Sequence, residues 1–366
     1  MSKSLKELVD EISVNCAGKN QSLPAACYHR EDFLALEKAK VLNGGWHCLG
    51  RADEIPGEGD FFTTTLLNEP MLVVRGGDGG IRVLSNVCRH RAAPVASGYG
   101  TASGFRCPYH AWTYEIDGRL RSAPLVEKKL LKNCQLPVIR SECWGGFIFA
   151  TLDSSIESLQ HSLIGLEEQI RNYRMEKMHH VAYFEETWEC NWKSLVENFM
   201  DGYHLSVVHP QTLRPLTPTR LCQTMESGPA FTGYIANYAK SAPLRKRYSK
   251  LLTEDEKRQS KLFCVYPAMV ASISPDTLVY LALQPDGPER VRVKWGLSVV
   301  EARLSAREKQ SRIEKWQAIN AEDHALLSSL SQGLQSALYT GGELAPANLE
   351  GTVSDFHDYL IAAIRR

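Results

Sequence analysis

The spacing of apolar positions changes along the chain and divides it. Near the start, Leu5, Leu8, Val9 and Ile12 recur at the three- and four-residue interval of a helix with one apolar face. From Trp46 the pattern shortens to β-rich runs, Phe61–Leu66, Met71–Val74 and Ile81–Leu84. The glycine-dense Gly76-Gly77-Asp78-Gly79-Gly80 marks a turn between the last two. This texture persists to Gly145-Gly146-Phe147-Ile148-Phe149. Helical spacing returns over 156–176 at Leu159, Leu163, Leu166 and Ile170. A strand is then predicted over Val181–Trp188 and a helix over Asn191–Tyr203. Strands follow over Leu262–Ser274, Thr277–Gln284 and Val291–Val300, separated by the turns Ser274-Pro275-Asp276 and Pro285-Asp286-Gly287-Pro288. Long helices are predicted over 305–338 and 353–365.

These segments predict a helical lead-in over 1–40, an all-β domain over 41–155, and a mixed domain over 156–366 against which the lead-in is expected to pack. Antiparallel strands with long helices make the whole an α+β protein. No repeat or low-complexity segment interrupts it.

Composition narrows the partners. The chain has 366 residues, enough for two cores. Lys plus Arg and Asp plus Glu number 42 each, so there is no global charge to attract nucleic acid or an anionic membrane. The short basic run Arg245-Lys246-Arg247 is read as a solvated face. No apolar run approaches the roughly 18 residues of a membrane span. The N-terminal MSKSLKELVDEISVNC lacks the apolar core and cleavage site of a secretory signal. A cytoplasmic protein with no membrane or nucleic-acid partner is expected. Ten cysteines in a reducing compartment should then be free thiols, most of them buried.

Two stretches carry chemistry. In the first, Cys88-Arg89-His90 and Cys107-Pro108-Tyr109-His110 each pair a thiolate with an imidazole on one short arm. Four such donors suit one structural zinc. They equally suit a [2Fe–2S] cluster with both cysteines on one iron and both histidines on the other. Common zinc fingers carry both histidines on one helix, whereas here each histidine accompanies its own cysteine in a β-rich domain. Tyr109 and Trp112 could shield such a group or simply belong to the core.

In the second, Asn191-Trp192-Lys193 leads to Glu197, Asp201 and His204, which fall at i, i+4 and i+7 on one face of a helix. Acids and a histidine on a core-facing stripe are costly unless something satisfies them, and a metal would. Val207-Val208 and Pro210 end the helix before His209, letting the chain turn a second imidazole toward the same point. Two histidines and one carboxylate make a facial triad that suits ferrous iron. Asp323, on the long 305–338 helix, is the expected carboxylate, with Glu322 its competitor.

The strings CRHRAAP and CPYHAWTYEIDGRL resemble the ferredoxin domain of Rieske oxygenases. The pattern D-x2-H-x4-H after NWK-x3-EN-x2-D resembles the mononuclear iron motif of Rieske oxygenase α subunits. With EDHALLSSLSQGL the likeness spans roughly residues 40 to 340. It implies a Rieske [2Fe–2S] domain over 41–155, with Cys88, His90, Cys107 and His110 holding the cluster. It implies a catalytic domain over 156–366 of helix-grip fold, with His204, His209 and Asp323 holding mononuclear Fe(II). Asp201 would be the carboxylate that joins this iron to the partner subunit's His110 in a homotrimer. O2 would be co-substrate. No Gly-x-Gly-x-x-Gly occurs, so electrons would come from NAD(P)H through a separate flavin and iron–sulfur reductase.

Chain length and the likeness of NWKSLVENFMDGYHLSVVHP to carnitine- and betaine-type members imply a monooxygenase that hydroxylates or oxidatively demethylates a small organic substrate. Phe231, Tyr234, Tyr238, Phe263, Tyr266 and Met269 are its candidate pocket, an aromatic cage for a cation. The alternatives are an aromatic-ring cis-dihydroxylating dioxygenase, a Rieske electron-transfer protein without oxygenase activity, and a zinc-stabilised binding protein.

Overall fold

The computed structural model describes residues 3–366, the side chain of Lys128 apart. It divides into two compact units: Trp46–Ile156, and the residues up to Gly45 together with Glu157–Arg366.

The first unit is all β. A seven-stranded antiparallel sheet runs in the order β1-β10-β9-β4-β3-β2-β5. Its strands are β1 His47–Arg51, β2 Asp60–Leu66, β3 Glu69–Arg75, β4 Ile81–Ser85, β5 Tyr99–Thr101, β9 Val138–Trp144 and β10 Phe147–Thr151. A small sheet comprises β6 Phe105–Arg106, β7 Thr113–Tyr114 and β8 Leu120–Ser122. Two hairpins have two-residue loops with both residues at positive φ, Leu67-Asn68 and Gly145-Gly146, the conformation whose twist matches the flanking strands. The Gly145-Gly146 pair is legible in sequence, whereas a left-handed Leu67 is not.

The second unit carries a seven-stranded antiparallel sheet, β11-β17-β16-β15-β14-β13-β12. These strands are β11 His179–Trp188, β12 Cys222–Thr224, β13 Phe231–Asn237, β14 Gln259–Val265, β15 Met269–Ile273, β16 Thr277–Pro285 and β17 Val291–Val299. The predicted strand 262–274 is in fact a hairpin, β14 and β15. It breaks at Pro267, which has no N–H to give to a ladder.

The helices are α1 Leu5–Asn15, α2 Ala26–His29, α3 Glu31–Glu37, α4 Leu159–Ser162, α5 Ile164–Ile170, α6 Trp192–Met200, α7 Leu205–Val208, α8 Ala306–Gly333 and α9 Ala347–Arg365. As in a helix-grip fold, α6 packs on β14, β15 and β16, and α9 on β12 and β13. The lead-in belongs to this unit. Gly18 N donates to Asp358 Oδ1 of α9 at 2.7 Å, and Ser22 bonds Gly342.

The start of α6 shows what the Asn191-Trp192-Lys193 string does. Asn191 caps the helix through Lys193 N, and its amide reaches the carbonyls of Tyr28 and Pro288. Lys193, fully buried, pairs with Glu37 at 2.8 Å and lies over the rings of Tyr28, Phe33 and Trp192. Trp192 Nε1 donates to the same carboxylate. Among the described residues no helix is long and apolar enough to cross a membrane. All ten cysteines are free.

Candidate metal centres

The first centre is built by two loops of the same shape. Cys88 N bonds Ala93 O and Ala92 N bonds Cys88 O. In the second loop Cys107 N bonds Trp112 O and Ala111 N bonds Cys107 O. Each loop turns through one alanine in the left-handed region, Ala92 at φ 60° and Ala111 at φ 58°. Both thiols are buried, while both imidazoles are exposed with their centroids 4.6 Å apart.

The loops are therefore polarised, sulfur inward and nitrogen outward, which fits a two-iron group whose inner ion takes thiolates and outer ion imidazoles. Tyr114 lies beneath, its hydroxyl donating to Cys88 Sγ at 3.3 Å and accepting from Arg89 N at 3.0 Å. Burial works against the Cys88 thiolate. The Tyr114 hydroxyl, the N–H groups of His90 and Arg91 and the Cys107 thiol outweigh it and hold this thiol below its ordinary range. Trp112 is buried and stacks on His90 at 4.9 Å. Tyr109 is 56% exposed against His110, so it covers the histidine edge from outside.

The second centre departs from its expected construction. Helix α6 stops at Met200. Asp201 is already extended (ψ 109°) and His204 opens the short α7, so Glu197, Asp201 and His204 do not share one helical face. Glu197 instead bonds Tyr28 and His357. At the break Gly202 lets the chain pass close to Cys222, from which a Cβ would lie only 3.1 Å.

Across the break, His204, His209 and Asp323 bring one donor atom each within 4.8 Å of one another. Asp323 Oδ1 is 3.1 Å from His209 Nε2 and 3.6 Å from His204 Nε2. It is buried and has a well-formed hydrogen bond with neither. Two imidazoles and an orphaned carboxylate oxygen facing one point are a donor set that a ferrous ion satisfies. The far nitrogens are held as well. His204 Nδ1 faces Asp201 Oδ2 at 3.3 Å, and His209 Nδ1 faces Glu322 Oε2 at 2.7 Å. Glu322 also accepts from Thr212 Oγ1 at 2.6 Å. The competitors Glu322 and Asp323 thus divide the work on His209, one orienting the ring from behind and one facing its free nitrogen.

Residues 45–140 match the Rieske [2Fe-2S] domain, and residues 175–365 match the catalytic domain of the ring hydroxylating alpha subunit. The chain belongs to this family, the oxygenase components of Rieske non-haem iron oxygenases. A Rieske oxygenase of this kind uses the [2Fe–2S] cluster, a mononuclear iron and O2, with a reductase supplying electrons.

The chain is 26% identical to the carnitine monooxygenase oxygenase subunit of Escherichia coli K12, over 94% of this chain and 95% of that one. It is 26% identical to the chloroplastic choline monooxygenase of Beta vulgaris, over 98% and 80%. In fold it is similar to a quaternary ammonium Rieske monooxygenase structure described for inter-subunit electron transfer (TM-score 0.82, 22% identity, 94% and 95% covered). It is also similar in fold to naphthalene 1,2-dioxygenase of a Rhodococcus species (TM-score 0.80, 19% identity, 98% and 97% covered).

In the Rieske oxygenase chain described here, the triad faces a cavity of about 350 Å³. Even-numbered positions of three strands line it, Tyr234 and Ala236 from β13, Ser260 and Leu262 from β14, and Ser272 from β15, with Thr277 from β16 beside them. Strand alternation turns Phe231, Phe263 and Met269 away, and Tyr266 stacks on Tyr359 instead. Of the six expected pocket residues, only Tyr234 and Tyr238 line it. Phe199 and Trp316 complete its aromatic wall. Sequence reading also missed Arg245, Arg312, Lys315 and Asp276, which line the same cavity. Arg245 is half-buried, so the basic run is not wholly a solvated face, although Lys246 and Arg247 are exposed.

Proposed function

We propose that the chain is a monooxygenase of small quaternary ammonium compounds. In this reading Cys88, His90, Cys107 and His110 hold the cluster, and His204, His209 and Asp323 hold the iron. The observation that carries it is a triad of iron-type donors facing an aromatic-walled cavity sized for a small molecule. The carnitine and choline enzymes among the relatives support the substrate class. A cation in this cavity would have Phe199, Tyr234, Tyr238 and Trp316 to meet, each worth roughly 0.5–2 kcal/mol at contact distance.

When bound, the iron supplies O2 activation and the cluster the second electron. The protein's own part is positional. Glu322 and Asp201 hold the Nδ1 protons of His209 and His204, which fixes both tautomers and leaves Nε2 free to ligate. The buried Tyr234 hydroxyl has no hydrogen-bond partner and lines the cavity, so it can donate to a bound substrate. The neutral, greasy stretch of Leu205, Leu213, Leu216 and Leu262 keeps bulk water off the reacting carbon.

Within the same proposal, Asp201 bridges the iron of one subunit and the cluster of the next in a cytoplasmic homotrimer, and couples electron transfer between them to protonation. Beside it Tyr203 and Val207 are 54% and 81% exposed, an apolar patch that a neighbour would cover. The exposed His90 and His110 rings offer the complementary end of the route. The reductant would be a separate NAD(P)H-dependent reductase.

The test is substrate-dependent oxygen uptake with a compatible reductase, comparing trimethylammonium compounds, methoxybenzoates and simple arenes. Coupled uptake with the trimethylammonium compounds is expected. A cis-diol formed from an arene as the efficient product would overturn the reading.

A further inference from the structure

We infer that the cavity has an oxyanion subsite at the end remote from the triad, so that the substrate carries a carboxylate several bonds from the carbon that is oxidised. This rests on the proposed function and refines it. The lining side chains of helix α8 run along one stripe: Ser311, Arg312, Lys315, Trp316, Ile319 and Asp323. The metal-facing carboxylate lies at one end of that stripe and two cations at the other. Arg245, from the loop before β14, joins the cations.

The charges at that end do not cancel. Asp276, buried at the base, is shared between Arg312 at 3.1 Å and Arg245 at 3.4 Å. Arg312 also donates to Thr277 Oγ1 at 2.8 Å and reaches Glu301 at 3.5 Å. Lys315, an exposed residue at the mouth of the cavity, has no hydrogen bond or ion pair among the described residues; loss of solvation around its ammonium, then Arg245 and Arg312, disfavour the charge, and Asp276 only partly offsets them. Three lining cations thus share the carboxylates of Asp276 and Glu301, with Glu308 within electrostatic reach of Arg312 but also of the further cation Arg247, so a net positive charge remains and Lys315 and the remaining Arg245 donors are unused. A bare cation would be repelled there, whereas a zwitterion can place its carboxylate on Lys315 and Arg245 and its ammonium on the aromatic wall.

The helix also sets a length. Lys315 precedes Asp323 by eight residues, or about 12 Å of helix axis. An ion-pair contact takes about 3 Å of this and the approach of the reacting carbon another 3–3.5 Å. On the order of 6 Å remains between the oxidised carbon and the carboxylate. Trimethylglycine is too short for both ends, and γ-trimethylammoniobutanoate spans them.

Titration calorimetry on the anaerobic, iron-loaded enzyme tests this. The probes are γ-trimethylammoniobutanoate, its primary amide, trimethylglycine, and the acid in which a tert-butyl group replaces trimethylammonium. The acid should bind about 30-fold more tightly than its amide, and about 10-fold more tightly than trimethylglycine. Lys315→Met should reduce the acid-to-amide ratio to below about 5-fold while leaving the amide's affinity unchanged, which also reports an intact pocket. Arg245→Gln should act in the same direction. Equal affinity of acid and amide in the wild type would overturn the subsite, as would a Lys315→Met variant that weakens both alike. If the tert-butyl acid binds as well as the trimethylammonium acid, the quaternary ammonium reading fails and the oxyanion subsite stands.

Discussion

At residue scale the metal-facing side chains differ less in kind than in what stands behind them. Asp323 and Glu322 are neighbours on α8, yet their side chains leave the helix about 100° apart, so each meets a different nitrogen of His209. Asp323→Ala is expected to lose the mononuclear iron, whereas Glu322→Gln should keep a site with about 10–100-fold weaker affinity. Metal analysis of the two variants, with the visible spectrum as a check that the cluster persists, separates the roles. Equal iron loss in both would mean that Glu322 ligates as well. At the cluster, Tyr114→Phe removes the hydroxyl that donates to Cys88 Sγ. Hydrogen bonds to cluster sulfur favour the reduced, more negative state, so protein-film voltammetry should show a lower potential with the cluster retained. An unchanged potential would show that this contact does not tune the centre.

At the scale of elements, the site depends on segments that never touch it. The lead-in holds α6 through Glu37 and Lys193, a pair buried so deeply that neither partner reaches water. Glu37→Ala strands a buried ammonium and should destabilise the catalytic unit by about 3–5 kcal/mol in urea unfolding. A loss under about 1 kcal/mol would show that the aromatic rings around Lys193 suffice. The loop that carries Arg245 is pinned by Arg258, which donates to the carbonyls of Ala239, Lys240 and Ala242. It is pinned again by Glu256. Burial favours protonated Glu256, but Thr253 N, Asn172 and Lys261 outweigh it and hold the carboxyl below its ordinary 4.5. A carboxylate depressed in the folded state adds stability above its unfolded pKa and loses it as pH falls through the folded value. The stability gap between wild type and Glu256→Gln should therefore shrink as pH drops below about 4.5, and a gap that is constant with pH would contradict this.

For the whole molecule the accounting is one of metals and subunits. About three irons per chain are expected, two with inorganic sulfide and one without, in a brown protein. One zinc and no visible absorption would remove the redox reading entirely. In the assembled oxygenase, Asp201→Asn should retain both centres and accept electrons at the cluster, yet pass them on slowly. Single-turnover reduction followed by freeze-quench spectroscopy measures that step. A fully active wild-type monomer would contradict the inter-subunit route.

Much of this protein is written locally in its chain. The paired Cys-x-His and Cys-x2-His arms are legible because each pair needs only one short loop. His204 and His209 are legible because Pro210 forces a turn within reach. Gly145-Gly146 and the long α8 likewise follow from backbone preference over a few residues. What tertiary structure decided is everything set by direction at long range. Glu322 and Asp323 are indistinguishable by period until His209 takes a position between them. Tyr234 and Phe263 are both aromatics on neighbouring strands, and only the pairing register turns one into the cavity and the other out of it. Arg245 looks like part of a solvated run until its loop folds back against Asp276. The stretch from Asp201 to His204 looks helical until Gly202 packs against Cys222, so closely that a Cβ would lie 3.1 Å from its side chain. In each case the deciding contact joins residues far apart in sequence, where spacing along the chain carries no information about which way a side chain points.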